Sequence, residues 1–211
     1  KIFKNKILNK KITINNVYLD WFLKIKGKKN NWKNNYKLGG GIFYNYLCHT
    51  INYLEYFFGK IISVQAKYNF SSNKGKYLNS LFFFKKNLSV NVKIKIFNDK
   101  LNKPIHRLLV ESEKNEYCLE SKVNNLFDQF KIIQTKKSID SILKKEKIIF
   151  KNNPSRLDFR IKPTYKNTEK FSKCILNRKI IKPNFYDAAR IHEIINQVQN
   201  SLKIKKKMYI N

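Results

Sequence analysis

Arginine, acidic residues and cysteine are scarce in this chain. Its 211 residues include 14 Asp and Glu, 3 Cys, 6 Gly, 4 Pro and 1 Met, and the formal net charge is +31. Such a charge suggests a nucleic-acid partner, because lysine and arginine neutralise phosphate. However, only 5 of the 45 basic residues are arginine, which is the side chain suited to bidentate phosphate and guanine contacts.

Lysine, asparagine and isoleucine are abundant instead, with 40, 28 and 27 copies against 3 alanines. All three have AT-rich codons, so the genome's composition explains the charge better than a phosphate ligand does. A basic nucleic-acid-binding module stays open as an alternative, with Tyr68, Phe70 and residues 82–84 as stacking aromatics. Lysines spread over the whole surface would favour genome composition, and one basic stripe would favour binding.

Cysteine is too sparse for a disulfide framework or a zinc site. Cys48, Cys118 and Cys174 are far apart and odd in number. No apolar run approaches the roughly 20 residues that cross a bilayer, and no signal peptide opens the chain. We expect no metal site, no membrane partner and a cytoplasmic location.

The hydrophobic period predicts an α+β fold. Residues 12–25 indicate a strand, and residues 42–58 repeat apolar positions as an amphipathic helix does, ending at Gly59. The period then changes to two, which predicts strands at 61–70, 78–86, 89–97, 106–112 and 115–121. Residues 127–150 are ambiguous. We expect an open, mostly antiparallel sheet with helices packed on one face.

Two helices are predicted at the C-terminal end. The first begins near Lys162, with a candidate buried stripe at Tyr165, Phe171, Cys174 and Ile175. In the second, Asn184 is the expected N-cap and Asp187 lies three residues on, near the positive helix N-terminus. One face of that helix is apolar, formed by Ile191, Ile194, Ile195, Val198 and Leu202.

A polar stripe on the helix at 42–58 carries the candidate chemistry. Asn45, His49 and Asn52 fall at i, i+4 and i+7, opposite Leu47, Ile51 and Leu54. The glycines at 39–41 allow a sharp bend into the helix. An ordinary surface histidine in an Asn-rich chain would look the same. Two other histidines are weaker candidates for a functional role. His106 is expected at the start of a strand on the sheet edge, and His192 is a candidate residue of the pocket wall.

The run GGGIFYNYLCHTINYLEYFFGKI at residues 39–61 resembles the glucose-fructose oxidoreductase, inositol dehydrogenase and MocA (Gfo/Idh/MocA) family. In that family three glycines are followed by Asp, Gly, His and Asp. Trp32 lies where a tryptophan often precedes those glycines. The closing segment KPNFYDAARIHEIINQVQNSLK resembles the family's last helix.

The resemblance implies the substrate-binding and oligomerisation domain of an NAD(P)-dependent oxidoreductase. Such enzymes transfer a hydride between nicotinamide and a secondary hydroxyl or ketone of a sugar, nucleotide-sugar or polyol, and they associate through the open sheet. It implies His49 as the residue that moves the proton of the substrate hydroxyl. The implied substrate-binding residues are Asn45, Asn52, Trp32 and Arg190, and Gly39, Gly40 and Gly41 would lie near the cofactor.

Three positions depart from the family pattern. Asn45 and Asn52 replace the two aspartates, and Leu47 replaces a glycine. An amide positions a hydroxyl but cannot take its proton. A degenerate, non-catalytic scaffold therefore remains an alternative.

The family's dinucleotide-binding sequence is also missing. No GxGxxG follows a strand, and no βαβ unit surrounds the glycines at 39–41. We therefore expect residues 1–10 to be the tail of the last nucleotide-domain helix and 11–211 to be the substrate-binding domain. NAD or NADP would be bound mainly by an absent N-terminal Rossmann domain, and residues 1–211 alone should be inactive.

Overall fold

Alternating strands build one mixed sheet that positions every other element. In a computed structural model the structure describes residues 2–8, 12–24, 32, 38–71, 75–85, 87–97, 104–121, 130–137, 146–151 and 161–210. The strands in these ranges are β1 (Ile14–Lys24), β2 (Ile61–Ser71), β3 (Gly75–Phe84), β4 (Ser89–Phe97), β5 (Ile105–Ser112), β6 (Asn115–Ser121), β7 (Lys131–Lys136), β8 (Glu146–Lys151) and β9 (Met208–Tyr209).

The sheet order is β8-β7-β6-β5-β1-β4-β3-β2-β9, and the predicted α+β architecture is confirmed. Every pair is antiparallel except β1 with β4, which run parallel from Val17 opposite Val90 to Lys24 opposite Phe97. The predicted strands between 12 and 121 are all present. In the ambiguous segment, β7 and β8 form a hairpin, while residues 138–145 between them lie outside the described residues.

One face of the sheet is covered by helices. β1 and β4 alternate buried and half-buried residues, as a sheet with one covered face requires. Helices α1 (Cys48–Phe58) and α3 (Phe185–Ile204) bury apolar residues in the same cluster as these strands. The apolar side of the predicted first helix is confirmed, because Leu47, Ile51 and Leu54 are fully buried.

Two short π-helical segments flank this core, Lys4–Leu8 and Phe43–Leu47. Phe3 and Ile7 are buried in the core cluster, and the Phe3 and Phe57 rings lie 5.6 Å apart. The first segment therefore packs against the C-terminal half of α1. Residues 9–11, where we expected the domain boundary, lie outside the described residues.

Helix α3 begins as predicted. The Asn184 side chain accepts hydrogen bonds from the Tyr186 and Asp187 backbone N–H groups at 3.0 and 3.1 Å, and Asp187 accepts one from the Asn184 backbone N–H at 2.8 Å. This capping box satisfies N–H groups that have no partner inside the helix. At the other end, Ser201 accepts a hydrogen bond from the Ala66 N–H at 2.9 Å, which ties α3 to β2.

Helix α2 (Ile161–Leu176) corrects the predicted buried stripe. Tyr165 is 70% exposed, Phe171 52% and Ile175 60%, and Cys174 is half-buried. The helical period identified the apolar side correctly. The hydrophobic period of a helix cannot show whether another element covers its apolar side. Within the described ranges no element buries the apolar side of α2.

Candidate functional site

The glycine turn leads into the segment that carries His49. Gly39 and Gly41 have positive φ angles of 76° and 81°, a conformation that side chains with a Cβ rarely adopt. A Cβ on Gly39 would meet nothing within 4 Å. Glycine is therefore favoured at this position by its backbone conformation and not by a lack of space for a side chain. The turn enters the π-helical segment 43–47, where the Cys48 N–H donates to the Phe43 carbonyl before α1 continues. Such segments are rare and are frequently found at functional sites.

A cavity of about 520 Å³ lies between this helical segment and the covered face of the sheet. The helical side contributes five residues, and the sheet side contributes three residues plus Phe130, which precedes β7. The lining residues are Asn45, Tyr46, His49, Tyr53 and Phe57 on the helical side, and Trp21, His106, Leu119 and Phe130 on the other. The wall is mainly aromatic, and no acidic residue, lysine or arginine lines it among the described residues.

Two of the predicted site residues meet in this cavity. Asn45 and His49 both line it, and His49 is exposed. Asn52 is exposed and does not line the cavity, because the helix turns its position away. Trp32 is 52% exposed, and its chain neighbours lie outside the described residues.

Arg190 lies elsewhere, at the junction of α3 with the end of α1. Its Nε donates to Glu55 Oε1 at 3.1 Å, and its Nη2 donates to the Ile61 carbonyl at 2.9 Å. Glu55 Oε1 also accepts from the Ile61 N–H at 3.0 Å. These bonds join α1, β2 and α3 and do not place the guanidinium among the cavity-lining residues. His192 is on the same helix, with its ring 5.7 Å from that of Tyr44.

His106 belongs to the cavity wall, which corrects the expected edge position. β5 lies inside the sheet between β1 and β6, so His106 is directly opposite Trp21 on one side and Ser121 on the other. Its Nε2 is 3.3 Å from the Tyr53 hydroxyl. Burial lowers the pKa of His106 to about 4, and burial raises the pKa of Tyr53 well above its usual value of 10.0. Both side chains are therefore neutral near pH 7.

Sequence reasoning missed Trp21, Tyr53 and His106 as site residues. In the sequence, Trp21 and His106 look like ordinary aromatic residues of strands, and Tyr53 looks like an ordinary aromatic residue of a helix. Only the pairing of β1 with β5 and the packing of α1 over them bring the three together. The strand pattern gave no signal for that pairing.

The described residues offer no metal centre and no dinucleotide cradle. No group of three or more His, Cys, Asp or Glu side chains in these ranges could hold a metal ion. The only parallel strand pair described is β1 with β4, and the chain between them contains α1 and also strands β2 and β3, so it is not the helical crossover of a βαβ unit. The residues present therefore do not fit a dinucleotide on their own. None of the described helices is long and apolar enough to cross a membrane.

The chain is similar in part to one protein family and in fold to several solved structures. Residues 7–96 match the family model for the GFO/IDH/MocA C-terminal domain. No curated protein sequence matches the chain significantly.

Among solved structures, levoglucosan dehydrogenase in complex with NADH superposes with a TM-score of 0.76 at 12% identity, covering 100% of this chain and 62% of that one. A putative NADPH-dependent oxidoreductase from Desulfitobacterium hafniense gives 0.74 at 13% identity, covering 99% and 60%. A super-repressor mutant of Gal80p from Saccharomyces cerevisiae gives 0.70 at 13% identity, covering 98% and 60%.

This chain thus spans about three fifths of the length of these solved relatives. At such low identities the superpositions establish the fold. The family match covers the segment that holds the glycine turn, α1 and strands β1 to β4. Residues 7–96 of this chain are therefore similar to the GFO/IDH/MocA C-terminal domain, and the chain shares the fold of these solved structures.

Proposed function

We propose that this chain is the substrate-binding part of an NAD(P)-dependent oxidoreductase. The complete enzyme transfers a hydride between nicotinamide and a secondary hydroxyl or ketone of a sugar, nucleotide-sugar or polyol. The observation that carries the proposal is the cavity of about 520 Å³, which His49 lines together with aromatic side chains. The resemblance in residues 39–61 assigns His49 to the family's histidine position. Aromatic walls with a few polar groups are typical of small-molecule sites.

His49 is the residue proposed to move the proton. Oxidation of an alcohol to a ketone by hydride transfer also requires removal of the hydroxyl proton, and imidazole is the usual group for that task near neutral pH. Asn45 lines the cavity four residues before His49. Its amide can hold the hydroxyl or ketone oxygen but not its proton.

The named relatives support the substrate class. Structures of levoglucosan dehydrogenase have been solved with NADH and levoglucosan, and with NADH and L-sorbose. Among these three substrate classes we favour a neutral sugar or polyol over a nucleotide-sugar, because the described lining carries no lysine or arginine to pair with phosphate. NAD or NADP is proposed to be bound mainly by a separate nucleotide-binding domain, so residues 1–211 alone should not catalyse turnover.

Replacement of His49 tests the role in catalysis. In protein that also contains the nucleotide-binding domain, His49→Gln should lower kcat by about 100-fold or more, as loss of a general acid or base does. The oxidation of levoglucosan or myo-inositol is followed by the absorbance of reduced nicotinamide. His192→Gln is the matched control, because His192 is exposed on α3 and does not line the cavity. Undiminished turnover by His49→Gln would rule out the proton-transfer role.

A non-catalytic scaffold is the second candidate function. It is favoured by Asn45 and Asn52, which stand where the family's carboxylates are expected, and by the fold's presence in a protein named as a repressor. A scaffold would bind a sugar or a partner without consuming NAD(P)H. Sugar binding with no hydride transfer in the complete protein would select this candidate.

A basic nucleic-acid-binding module remains an alternative proposal. Exposed or half-buried lysines occur on β2, β4, β7, α2 and the end of α3, in the positions Lys67, Lys93, Lys136, Lys166 and Lys203. These positions lie on five different elements of the described chain.

We also propose that two copies associate through the uncovered face of the sheet. On that face Lys93 and Lys95 lie on β4, whereas Glu111 and Glu116 lie on β5 and β6. A second copy turned to place one half over the other would pair opposite charges. Sedimentation tests this, because Lys93→Glu and Glu116→Lys should each weaken a dimer, and the double variant should recover it.

A reducing cytoplasm is the proposed compartment. Cys48, Cys118 and Cys174 are all free thiols, and burial raises the pKa of Cys48. A protein with three separated thiols gains nothing from an oxidising environment.

A further inference from the structure

The two sides of the cavity that His49 lines differ in what they offer a ligand. On the helical side, Asn45 contributes an amide and His49 an exposed imidazole. Tyr46 adds a phenol on the same side, and burial raises its pKa, so its hydroxyl is protonated near pH 7. The helical side therefore carries groups that can hydrogen-bond to a hydroxyl or ketone oxygen.

The sheet side presents no polar atom that a ligand can reach, although it contains a tryptophan and a histidine. Trp21 Nε1 and His106 Nδ1 are buried away from solvent. His106 Nε2 lies 3.3 Å from the Tyr53 hydroxyl, so these two polar groups face each other. The remaining described lining residues of this side, Leu119 and Phe130, have hydrocarbon side chains. Toward the cavity, the sheet side is therefore an apolar surface.

Aromatic rings make this surface continuous. The Trp21 ring lies 5.6 Å from the Tyr46 ring and 5.0 Å from the His106 ring, and the His106 ring lies 5.8 Å from the Phe130 ring. These are the distances at which packed aromatic rings stabilise each other. Burial lowers the pKa of His106 to about 4, so the surface is also uncharged near pH 7.

A ligand hydroxyl buried against this surface loses its hydrogen bonds to water and gains none from the protein. Each such hydroxyl lowers the affinity by about 10-fold, whereas buried hydrocarbon raises it. A ring that carries a hydroxyl on every carbon places some of them on the sheet side. A ring whose far edge is hydrocarbon avoids that cost.

We propose that the cavity selects a cyclic secondary alcohol, or its ketone, whose reacting oxygen faces Asn45 and His49 and whose opposite edge is hydrocarbon. Carbocyclic alcohols and deoxy sugars have such an edge, whereas a fully hydroxylated cyclitol does not. This inference rests on the proposed function for the reaction and narrows its substrate class.

A series of ligands with one carbon ring tests the inference in residues 1–211. Cyclohexanol, trans-cyclohexane-1,2-diol and myo-inositol share that ring and differ in how many carbons carry a hydroxyl. The chain contains 2 tryptophans, so its nitrogen-15 spectrum has two indole signals, and Trp21→Phe identifies the signal of Trp21. Cyclohexanol and the diol should shift this signal in a saturable way, and myo-inositol should bind at least about 10-fold more weakly than cyclohexanol.

A polar group introduced into the sheet side should change this preference. Leu119→Gln supplies an amide there, so the ratio of cyclohexanol affinity to myo-inositol affinity should fall by about 10-fold. Phe130→Tyr supplies a hydroxyl on the same side and is the second variant if Leu119→Gln does not fold. Leu202→Gln is the matched control, because Leu202 is also half-buried but lies on α3 outside this cavity, and it should leave the ratio unchanged.

The outcomes separate this inference from the proposed function. If myo-inositol binds as tightly as cyclohexanol, or if no ring alcohol shifts the Trp21 signal, the apolar selection is wrong and the proposed oxidoreductase function is untouched. An unchanged affinity ratio in Leu119→Gln and Phe130→Tyr would also overturn it, because the sheet side would not contact the ligand. If the expected order of affinity is found but the complete protein oxidises none of these alcohols with NAD(P), the selection stands and the proposed function fails.

Discussion

Helix α3 places Ile194, Ile195 and Val198 against the sheet, whereas helix α2 leaves Phe171 and Ile175 more than half exposed. Both helices have an apolar side at helical spacing, so their sequences alone do not separate them. α3 is held by the Asn184 capping box, by the Ser201 bond to β2 and by Arg190. α2 has mainly local bonds, such as the pair of Lys173 with Glu169 at 2.7 Å. An amphipathic pattern thus reports which side avoids water, and tertiary contacts decide whether that side contributes to stability.

The largest expected effect is in the packed helix. Ile195→Ala removes a fully buried side chain of α3 and leaves a cavity, so the free energy of unfolding should fall by about 2–5 kcal/mol. Denaturant unfolding followed by circular dichroism measures the change. A loss below about 1 kcal/mol would mean that α3 is not packed on the sheet as described.

Acid should lower the free energy of unfolding because His106 is buried in its neutral form on the covered face of the sheet. The folded-state pKa of His106 is about 4, below the value of 6.5 expected for the unfolded chain, so its contribution is present above pH 6.5 and is lost as pH falls toward 4. The unfolding free energy should fall by up to about 3 kcal/mol over this interval.

The comparison with His106→Gln isolates this term. The chain's general charge repulsion also grows in acid, but it affects both proteins alike. The stability advantage of wild type over the variant should shrink as pH falls. A constant difference from pH 7 to pH 4 would contradict the buried, neutral state of His106.

A smaller effect is expected at the start of α3. Asn184→Ala removes the acceptor for two backbone N–H groups and should cost about 1 kcal/mol. Asn184→Asp keeps an acceptor and serves as the control. In thermal unfolding, wild type and Asn184→Asp should have similar melting temperatures, and Asn184→Ala a lower one. Equal melting temperatures for all three would contradict a stabilising role of the Asn184 cap.

The smallest change in the free energy of unfolding is expected for an isoleucine-to-alanine substitution on α2. Ile175→Ala on α2 should change the unfolding free energy by less than about 0.5 kcal/mol, because Ile175 is 60% exposed and alanine has the better helix propensity. The unfolding assay used for Ile195→Ala makes the two results directly comparable. A loss as large as that of Ile195→Ala would show that α2 is buried by something, and the contrast between the helices would disappear.

Local features of the fold could be predicted from local sequence. The alternation in residues 89–97 predicted β4, Asn184 and Asp187 predicted the start of α3, and Gly59 predicted the end of α1. Each of these depends on neighbours within a few residues, where the physical rule is short-ranged. The cavity position of Asn45 and His49 was also predictable in part, because helical spacing places both on one side.

The rest of the site was beyond local patterns. Asn52 shares the spacing of Asn45 and His49 but does not line the cavity, whereas the next residue, Tyr53, does. Arg190 was expected at the substrate, yet its guanidinium bonds to Glu55 and the Ile61 carbonyl. No local rule identifies a partner that lies 129 or 135 positions away.

The sequence by itself determined the elements: a strand-rich centre, an amphipathic helix after three glycines, and a capped helix at the end. Hydrophobic period and cap chemistry act over a few residues and are written along the chain. Only the tertiary structure decided that β1 runs between β5 and β4, that Trp21 therefore meets His106 under α1, and that α3 is buried while α2 is not. Strand pairing and burial depend on the free energy of long-range contacts, and no single segment of sequence contains that information.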